Sequence, residues 1–587
     1  MDIKFAKILK CKRKLFCDDT EAVTSNDNKI AKTNNSDNIL GSMKQYNISK
    51  TDYGISTNDK TDEVLPKIVI ENRLNWLINN HDESPLRINI LREWLMCGKY
   101  DANDQTMFCD KNIVHNILHF KSIFDNIDKN KLCDARARSN PFELMGKAFF
   151  INRGAVKMAN IDQATNFVFT RLNNGSNELI YFADVCAGPG GFSEYMLWRK
   201  KWNIKGYGMT LREKNDFKLN RFYNNFSETL HPYYGPLNDG NIYNSQNQKG
   251  FCEMIMKDTE GRGVHFMMAD GGFSVEGQEN MQEMLSKRMY LCQCLIALMI
   301  IRTGGHCVIK FFDIFTPFSA GLVYLMYRSF DRICIFKPHS SRPANSERYL
   351  VCLSKLPNVS DVITYLSEIN EKISTNDHDN DVTRIVSLNE LEYETCFKKF
   401  LIDSNNDIGN NQITALSKIL AFCNDINLVE PLQSNISKKC LELWRLSDNV
   451  QKIPKFFYPT KILHFLITKE NRQFMSHMCV KKSDVIDKRI NKNDWFCAPC
   501  VSTDIENTNS ASFYFGLGNT NVFRFTNNVW KRVSVSFKLP PHTLVYAEII
   551  DETQINDSMQ RTRKVVHIID AYVLGGINIS QLDLLER

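Results

Sequence analysis

Apolar positions along this chain fall into two regimes. Between about residues 66 and 370, short apolar runs alternate with amphipathic stretches. Strands buried on both faces need unbroken apolar runs and surface helices need one apolar stripe, so the alternation predicts a parallel sheet flanked by helices. Helical spacing falls on Asn72–Ile78 and Leu86–Met96, a helical extension ahead of the sheet. The predicted strands are Leu179–Cys186, Lys205–Thr210, His265–Ala269, His306–Phe312, Arg332–Phe336 and Tyr349–Leu353. The most apolar stretch, Met289–Ile301, is interrupted by Gln293 and is shorter than the ~20 residues needed to cross a bilayer. It predicts a buried helix and no membrane association. The second regime begins near residue 440, where short strand patterns at Ser512–Leu517, Val522–Phe525, Leu544–Ile550 and Val565–Ile569 are separated by turn residues. The expected fold class is α/β, a Rossmann-like doubly wound core over 66–370, with a smaller, mainly β module over 431–587.

Polar stretches set the remaining boundaries. Residues 1–65 are dominated by Asn, Asp, Ser, Thr and Lys and cannot bury enough surface to fold alone, so they predict a disordered leader. Residues 371–390, rich in Asn, Asp and Thr, predict a linker, and 391–430 a helical connector. The net charge of +6 over 587 residues is small, so any nucleic-acid contact must come from a local basic surface. Lys10, Lys12, Arg13 and Lys14 form a short basic cluster that fits a nuclear-import signal. Eighteen scattered cysteines, with no apolar signal region after MDIKFAKILKCKRK, predict reduced thiols in an intracellular compartment. His477, Cys479, Cys497 and Cys500 carry zinc-type ligands at irregular spacing, and no metal is expected.

Candidate chemistry concentrates where strands end. The run LIYFADVC leads directly into Ala187-Gly188-Pro189-Gly190-Gly191-Phe192 and then the helix-like SEYMLWRKK. A strand, glycine turn and helix let backbone approach a nucleotide-type ligand, and Asp184 stands just before the turn, where open α/β sheets bind ligands. The loop lacks both the third glycine of the dinucleotide fingerprint and a Gly-Lys-Ser/Thr ending. NAD and ATP are therefore disfavoured, as is an oxidoreductase, and a methionine-linked adenosine fits better. Lys157, Asp270, Lys310 and Glu347 stand out by position. Asp270 and Lys310 end or follow predicted strands, and parallel strands deliver their carboxyl ends to one edge, so the two should converge beside the glycine loop. Singly, each is an ordinary surface charge, although Val308, Ile309, Phe311 and Phe312 argue otherwise for Lys310.

If Lys157 and Glu347 join them, two lysines and two carboxylates share one cleft. Such a set suits methyl transfer from a sulfonium to a ribose hydroxyl, an in-line displacement that needs alignment and removal of a proton. A lysine with an unperturbed pKa of roughly 10.4 becomes a base near neutrality when desolvated or set beside a second cation. The expected roles are Lys310 as general base, Lys157 tuning it and steering the ribose, and Asp270 and Glu347 orienting the lysines.

The Lys-Asp-Lys-Glu order around a GPGGF loop resembles the RrmJ/FtsJ-type RNA 2′-O-methyltransferases. The runs RARSNPFELMGKAFFINRGAVKMANID, FADVCAGPGGFSEYMLWRKKW, GVHFMMADGGFSVEGQEN and SRPANSERYLVC are similar to the cap-directed mRNA branch of that family. The resemblance implies S-adenosyl-L-methionine as cofactor and the N7-methylguanosine-capped mRNA 5′ end as substrate. It further implies ribose methylation of the first transcribed nucleotide, nuclear action, and the transcription or capping machinery as a partner. By motif, cofactor contacts are implied for Asn152, Asp184, Val185, Cys186, Ala187, Gly188, Pro189, Gly190, Gly191 and Asp270. Asn241 and Ile242, where the family usually has Asp-Ile, complete that set. Cap or RNA contacts are implied for Lys121, Ser122, Ile123, Phe124, Asp125, Arg136, Asn280, Met281, Gln282 and Asn345, with Arg136 on a phosphate. The tail segments FYFGLGNTNVFRF, VWKRVSVSF and VLGGINI resemble the family's guanylyltransferase-like domain. The chain has no Lys-x-Asp-Gly motif to supply a nucleophilic lysine, so this module is expected to be catalytically inactive. Two rivals stand beside this reading: the same chemistry on ribosomal or transfer RNA, since the tetrad fixes the reaction and not the RNA, and an inactive cap-binding module.

Overall fold

The computed structural model describes residues 70–446 and 511–582, apart from 71–73, 82–84, 100–105, 173–177, 223–226, 274–280, 375–379, 519–520, 527–528, 534–536, 557–558 and 581. The leader, its basic cluster, and His477, Cys479, Cys497 and Cys500 lie outside the described residues.

The first elements are β1 (Leu77–Ile78), α1 (Ile88–Trp94), β2 (Met96–Gly98), α2 (Lys111–Phe124), α3 (Lys129–Ser139) and α4 (Arg153–Ala164). The core follows as β3 (Ile180–Val185), α5 (Gly191–Lys200), β4 (Ile204–Met209), β5 (Leu230–Tyr233), α6 (Ser245–Asp258), β6 (Val264–Ala269), α7 (Gln282–Ile300) and β7 (Ile301–Phe311). After α8 (Pro317–Tyr327) come β8 (Phe330–Phe336), β9 (Arg348–Lys355), α9 (Ser360–Ser374), β10 (Asp381–Arg384), α10 (Leu388–Tyr393), α11 (Thr395–Asn424) and α12 (Gln433–Leu443). Side-chain caps start several helices: Asp110, Asp128, Asn152, Asn244 and Thr316 each accept from a backbone N–H of the first turn, and Pro317 occupies the first position of α8.

The strands form one eight-stranded sheet in the order β1-β8-β9-β7-β6-β3-β4-β5. From β7 to β5 the pairing is parallel, as the apolar runs predict. The wholly parallel expectation is corrected at the other end, where β9 runs antiparallel between β7 and β8. An apolar run reads the same in either direction, so strand polarity here follows from the short connection that returns the chain beside β7. Residues 74–78, expected as helix, instead extend to the edge strand β1, with Leu77 opposite Ile333 of β8. A two-residue pairing with a distant edge outweighs local periodicity.

Helices cover both faces. On one side α6, α7, α8 and α9 bury their apolar residues against Ala183, Met267 and Ile309, and α7 is buried almost all round. On the other side α4, α5 and α12 pack against Phe182, Met268 and Val308. Two expected boundaries move. Residues 371–390 hold the end of α9, β10 and the start of α10, and Val382, Ile385 and Val386 within them are core residues despite their polar neighbours. The segment after 431 begins with α12, whose Ile436 and Cys440, with Trp444, belong to the core. The helix α11 contributes Phe397, Phe400, Leu401 and Ile408 to the core on the side of α6–α9, so the expected connector is an integral wall.

The tail forms its own six-stranded antiparallel sheet from β11 (Ser512–Gly516), β12 (Val522–Thr526), β13 (Val529–Arg532), β14 (Thr543–Asn556), β15 (Met559–Leu574) and β16 (Ile577–Asn578), in the order β13-β12-β11-β14-β15-β16. Its period-two pattern buries Phe513, Phe515 and Leu544 on one face and Tyr514, Val545 and Ala547 on the other. Among the described residues no helix is long and apolar enough to cross a membrane. No group of three or more His, Cys, Asp or Glu among them is placed to hold a metal ion.

Candidate active site

The sheet order changes direction between β3 and β6, since the chain goes from β3 to β4 on one side and later returns to β6 on the other. Open α/β sheets bind ligands at the carboxyl edge of such a switch point. The glycine loop leaves β3 there. Gly190 takes φ 108° and caps α5, a backbone state that L side chains rarely adopt. A Cβ on Gly188 would lie 1.5 Å from the Asn215 carbonyl oxygen, and one on Gly191 would lie 2.0 Å from Asn152 Oδ1. Close backbone approach is therefore built into both positions.

A small cleft opens at this edge, lined by Asn152, Gly154, Asp184, Cys186, Ala187, Gly188, Gly191, Phe192 and Asp270. Asp184 Oδ2 accepts from the Ser193 amide at 3.0 Å and its hydroxyl at 2.6 Å. Its other oxygen, Oδ1, is buried with no partner among the described residues. Burial raises the Asp184 carboxyl to about 7, against the Ser193 hydrogen bonds and with a contribution from nearby Asp270. An unpartnered acceptor beside glycines that admit a ligand fits an adenosine-type cofactor carrying amino or hydroxyl donors. Asn152 lines the cleft while its side chain caps α4 through Gly154 N at 2.8 Å.

The four charged residues meet beside this cleft. Lys310 ends β7, Asp270 follows β6, Lys157 lies on α4, and Glu347 directly precedes β9. Because β9 is antiparallel, its beginning lies at the edge where β6 and β7 end, which is why a residue before a strand joins residues after strands. Lys157 Nζ donates to Glu347 Oε2 at 2.8 Å and stands 3.9 Å from Asp270 Oδ2. Lys310 Nζ stands 3.1 Å from Asp270 Oδ1 and 3.9 Å from Glu347 Oε2, and donates to the Asp270 carbonyl at 2.9 Å. Each cation thus faces both anions. Burial works against the Lys157 charge, but Asp270 and Glu347 outweigh it and hold that lysine above its ordinary value. Burial likewise opposes the Glu347 charge, yet Lys157 and Lys310 lower its carboxyl to about 2.

Supporting contacts come from residues the sequence reading did not single out. Tyr349 donates its hydroxyl to Asp270 Oδ1 at 2.7 Å, and Ser341 donates to Glu347 Oε1 at 2.7 Å. Lys337, immediately after β8, donates to the Asn345 carbonyl at 2.6 Å, Asn345 Oδ1 at 2.8 Å and the Glu347 carbonyl at 2.8 Å. Burial pulls the Lys337 ammonium down to about 7. The strand-end rule that marks Lys310 also marks Lys337, since β8 runs parallel to β7. Arg348 is fully buried and ties the site to α11 through Asn405 Oδ1 at 2.7 Å, with Asp313 Oδ1 at 2.8 Å.

The FtsJ-like methyltransferase family model matches residues 150–355, the span of these four residues and the cleft. The cap-specific mRNA (nucleoside-2′-O-)-methyltransferase 1 of Drosophila melanogaster is 40% identical over 558 residues, which cover 92% of this chain and 71% of that protein. This chain belongs to the cap-specific mRNA (nucleoside-2′-O-)-methyltransferase 1 family. The namesakes from Xenopus laevis and Homo sapiens are each 41% identical over 516 residues, 85% of this chain, which spans 60% and 61% of their lengths.

Residues implied by likeness to this methyltransferase family divide by location. Val185, Cys186, Ala187, Gly188, Pro189, Gly190 and Gly191 form the strand end and loop at the cleft. Ile242 is buried, and the Asn241 side chain accepts from Tyr243 N at 3.0 Å. Gly240, just before them, would place a Cβ 1.7 Å from the Thr210 carbonyl, and Thr210 Oγ1 accepts from Gly188 N, so this turn abuts the loop. Lys121, Ser122, Ile123, Phe124 and Asp125 end α2, where Phe124 is buried and Lys121 and Ser122 face outward in part or fully. That segment and Arg136 on α3 connect to the cluster through α11, whose Gln412 donates to the Ala344 carbonyl at 3.2 Å. Asn345 is exposed beside Lys337, and Gln282 Oε1 accepts from Ser346 Oγ at 3.1 Å. Met281 is exposed next to it, and Asn280 lies outside the described residues.

Proposed function

We propose that this protein methylates the ribose 2′-hydroxyl of the first transcribed nucleotide of N7-methylguanosine-capped mRNA, with S-adenosyl-L-methionine as donor. The observation that carries the reading is the alternating Lys157, Glu347, Lys310, Asp270 cluster beside a glycine-lined cleft at the switch point. Asn152, Asp184, the 185–191 loop and Asp270 would hold the cofactor, with Asp184 Oδ1 taking one of its donors. The cofactor supplies the transferable methyl group and a sulfonium charge, and a like charge disfavours an ammonium beside it. Lys310 Nζ takes the proton from the ribose oxygen. Asp270, through its carboxylate and carbonyl, aims that nitrogen, and Tyr349 fixes Asp270 in turn. Lys157 stays cationic against Glu347 and steers the ribose oxygen. Phe312, whose ring lies 5.4 Å from Lys310 Nζ, helps keep water from the base.

Family membership supports the capped mRNA end as substrate, and nuclear action with contact to the capping or transcription machinery is proposed alongside it. The tail sheet, without a Lys-x-Asp-Gly nucleophile, serves binding or scaffolding in this reading. A panel of capped, uncapped and already ribose-methylated RNAs, incubated with methyl-labelled cofactor, tests it. Label is expected on capped RNA with a free first 2′-hydroxyl and on neither of the others. Equal labelling of uncapped RNA contradicts the cap assignment.

A further inference from the structure

The four-residue cluster sets two lysines against two carboxylates, so it offers an RNA phosphate no surplus positive charge. A surplus lies one helical turn away. Arg153 precedes Lys157 by four residues on α4, so the two side chains leave the same face of the helix. Arg153 Nη2 stands 2.9 Å from Glu143 Oε1 and donates to the Glu143 carbonyl at 3.1 Å. Arg342, in the segment that carries Asn345 and Glu347, brings its own Nη2 to the same Glu143 oxygen at 3.1 Å. Two guanidinium groups therefore share one carboxylate, which leaves a net charge of +1 at the rim of the cluster.

The exposure pattern indicates which way that charge faces. The Arg342 side chain is 52% exposed, against 17% for Glu143. Among the described residues the Nε and Nη1 of Arg342 engage no partner, so N–H donors on this guanidinium remain for an oxyanion. Glu143 is itself fixed by Asn140, which donates to Oε2 at 2.8 Å. Burial opposes the Glu143 charge, but Arg342, Asn140 and Arg153 outweigh it and hold the carboxyl below its ordinary value. The carboxylate is thus a fixed post that orients both arginines. One turn of helix is ~5.4 Å, comparable with the distance from a ribose hydroxyl to a flanking phosphate.

The geometry points to a phosphate subsite formed by Arg153 and Arg342, which takes one RNA phosphate next to the acceptor ribose. It rests on the reading that the acceptor is RNA. Arginine suits the task because its fork matches two phosphate oxygens and costs little reorganisation when already held.

Equilibrium binding of the full chain to fluorescent RNA tests this, with wild type, Arg342→Ala and Arg342→Lys compared across a salt series. Two RNAs are used: a capped mononucleotide, whose phosphates all lie in the cap bridge, and a capped oligoribonucleotide. Arg342→Ala is expected to weaken binding roughly tenfold and to reduce the salt slope by about one ion, with Arg342→Lys recovering part of the affinity. Weakening on both RNAs assigns the subsite to a bridge phosphate. Weakening on the oligoribonucleotide alone assigns it to the phosphodiester after the acceptor. Unchanged affinity and salt slope on both RNAs overturns the subsite. Because binding is read without turnover, a wild-type protein that binds RNA through Arg342 yet transfers no methyl group contradicts only the proposed reaction.

Discussion

Replacing Glu347 with Gln keeps the side-chain shape and an oxygen for the Ser341 hydroxyl, while removing the anion that faces both lysines. The wild-type carboxyl falls from 4.5 to about 2 in the folded protein, which corresponds to about 3 kcal/mol in favour of its ionised form. Only 6% of the residue is exposed, so solvent does little to screen this. The substitution is therefore expected to cost about 3 kcal/mol at pH 7, softened by Asp270, which still faces Lys157 at 3.9 Å. In thermal unfolding this appears as a fall of roughly 6 °C. The sign with pH follows from the depressed folded value. The stabilisation is complete above about pH 4.5 and fades as pH falls towards about 2, so wild type and variant converge in acid. Turnover at saturating cofactor is expected to fall as well, because Lys157 and Lys310 both lose a positioning partner. Denaturant unfolding from pH 7 down to pH 3, with single-turnover methylation on the same samples, reads both effects. A constant gap between the two proteins across that range, or no gap at pH 7, refutes the electrostatic account of Glu347.

Four further outcomes follow from other contacts. Asp184 has a folded value near 7 against 3.8 for an ordinary aspartate, so stability is lost as pH rises between about 4 and 7, on the order of 4 kcal/mol. Asp184→Asn should flatten that pH dependence in urea titrations and stand above wild type at pH 8, while weakening cofactor binding in calorimetry. Lys337→Met releases the Asn345–Glu347 backbone, and turnover should drop by up to about 10²-fold with cofactor affinity little changed, as stopped-time labelling beside calorimetry would read. Trp444→Ala empties a fully buried position where α12 docks on the core, and should destabilise the methyltransferase domain by about 3–5 kcal/mol in chemical denaturation. Lys310→Ala should slow the proton transfer and leave the cofactor cleft in place.

Much of the core was legible because its strands are buried on both faces and read as unbroken apolar runs. The segments ending at Val185, Ala269 and Phe311 lie within a residue or two of their expected ends, and so does the placement of Asp270 and Lys310. What stayed hidden depends on distant partners. Leu77 and Ile78 are a strand only because the β8 edge is there to pair with them. The strand Leu230–Tyr233 has one buried residue and a proline, so it carries almost no local signal. The polar 371–390 segment conceals Val382, Ile385 and Val386, three small apolar residues whose importance comes from the groove they fill. Glu347 illustrates the same limit within the site, since its convergence with Lys310 requires β9 to run antiparallel. Lys337 is the reverse case, a residue that the strand-end rule could have marked and that polar composition alone disguised as surface charge.

The central claim is that Lys310 Nζ removes the ribose proton within a cleft that binds the methyl donor independently. Single-turnover transfer of labelled methyl to capped RNA by Lys310→Ala, with cofactor affinity measured on the same protein, tests it most directly. The account predicts a loss of about 10²–10⁴-fold in the transfer rate with cofactor affinity retained. A transfer rate within about twofold of wild type contradicts it, because general-base catalysis then cannot reside on that lysine.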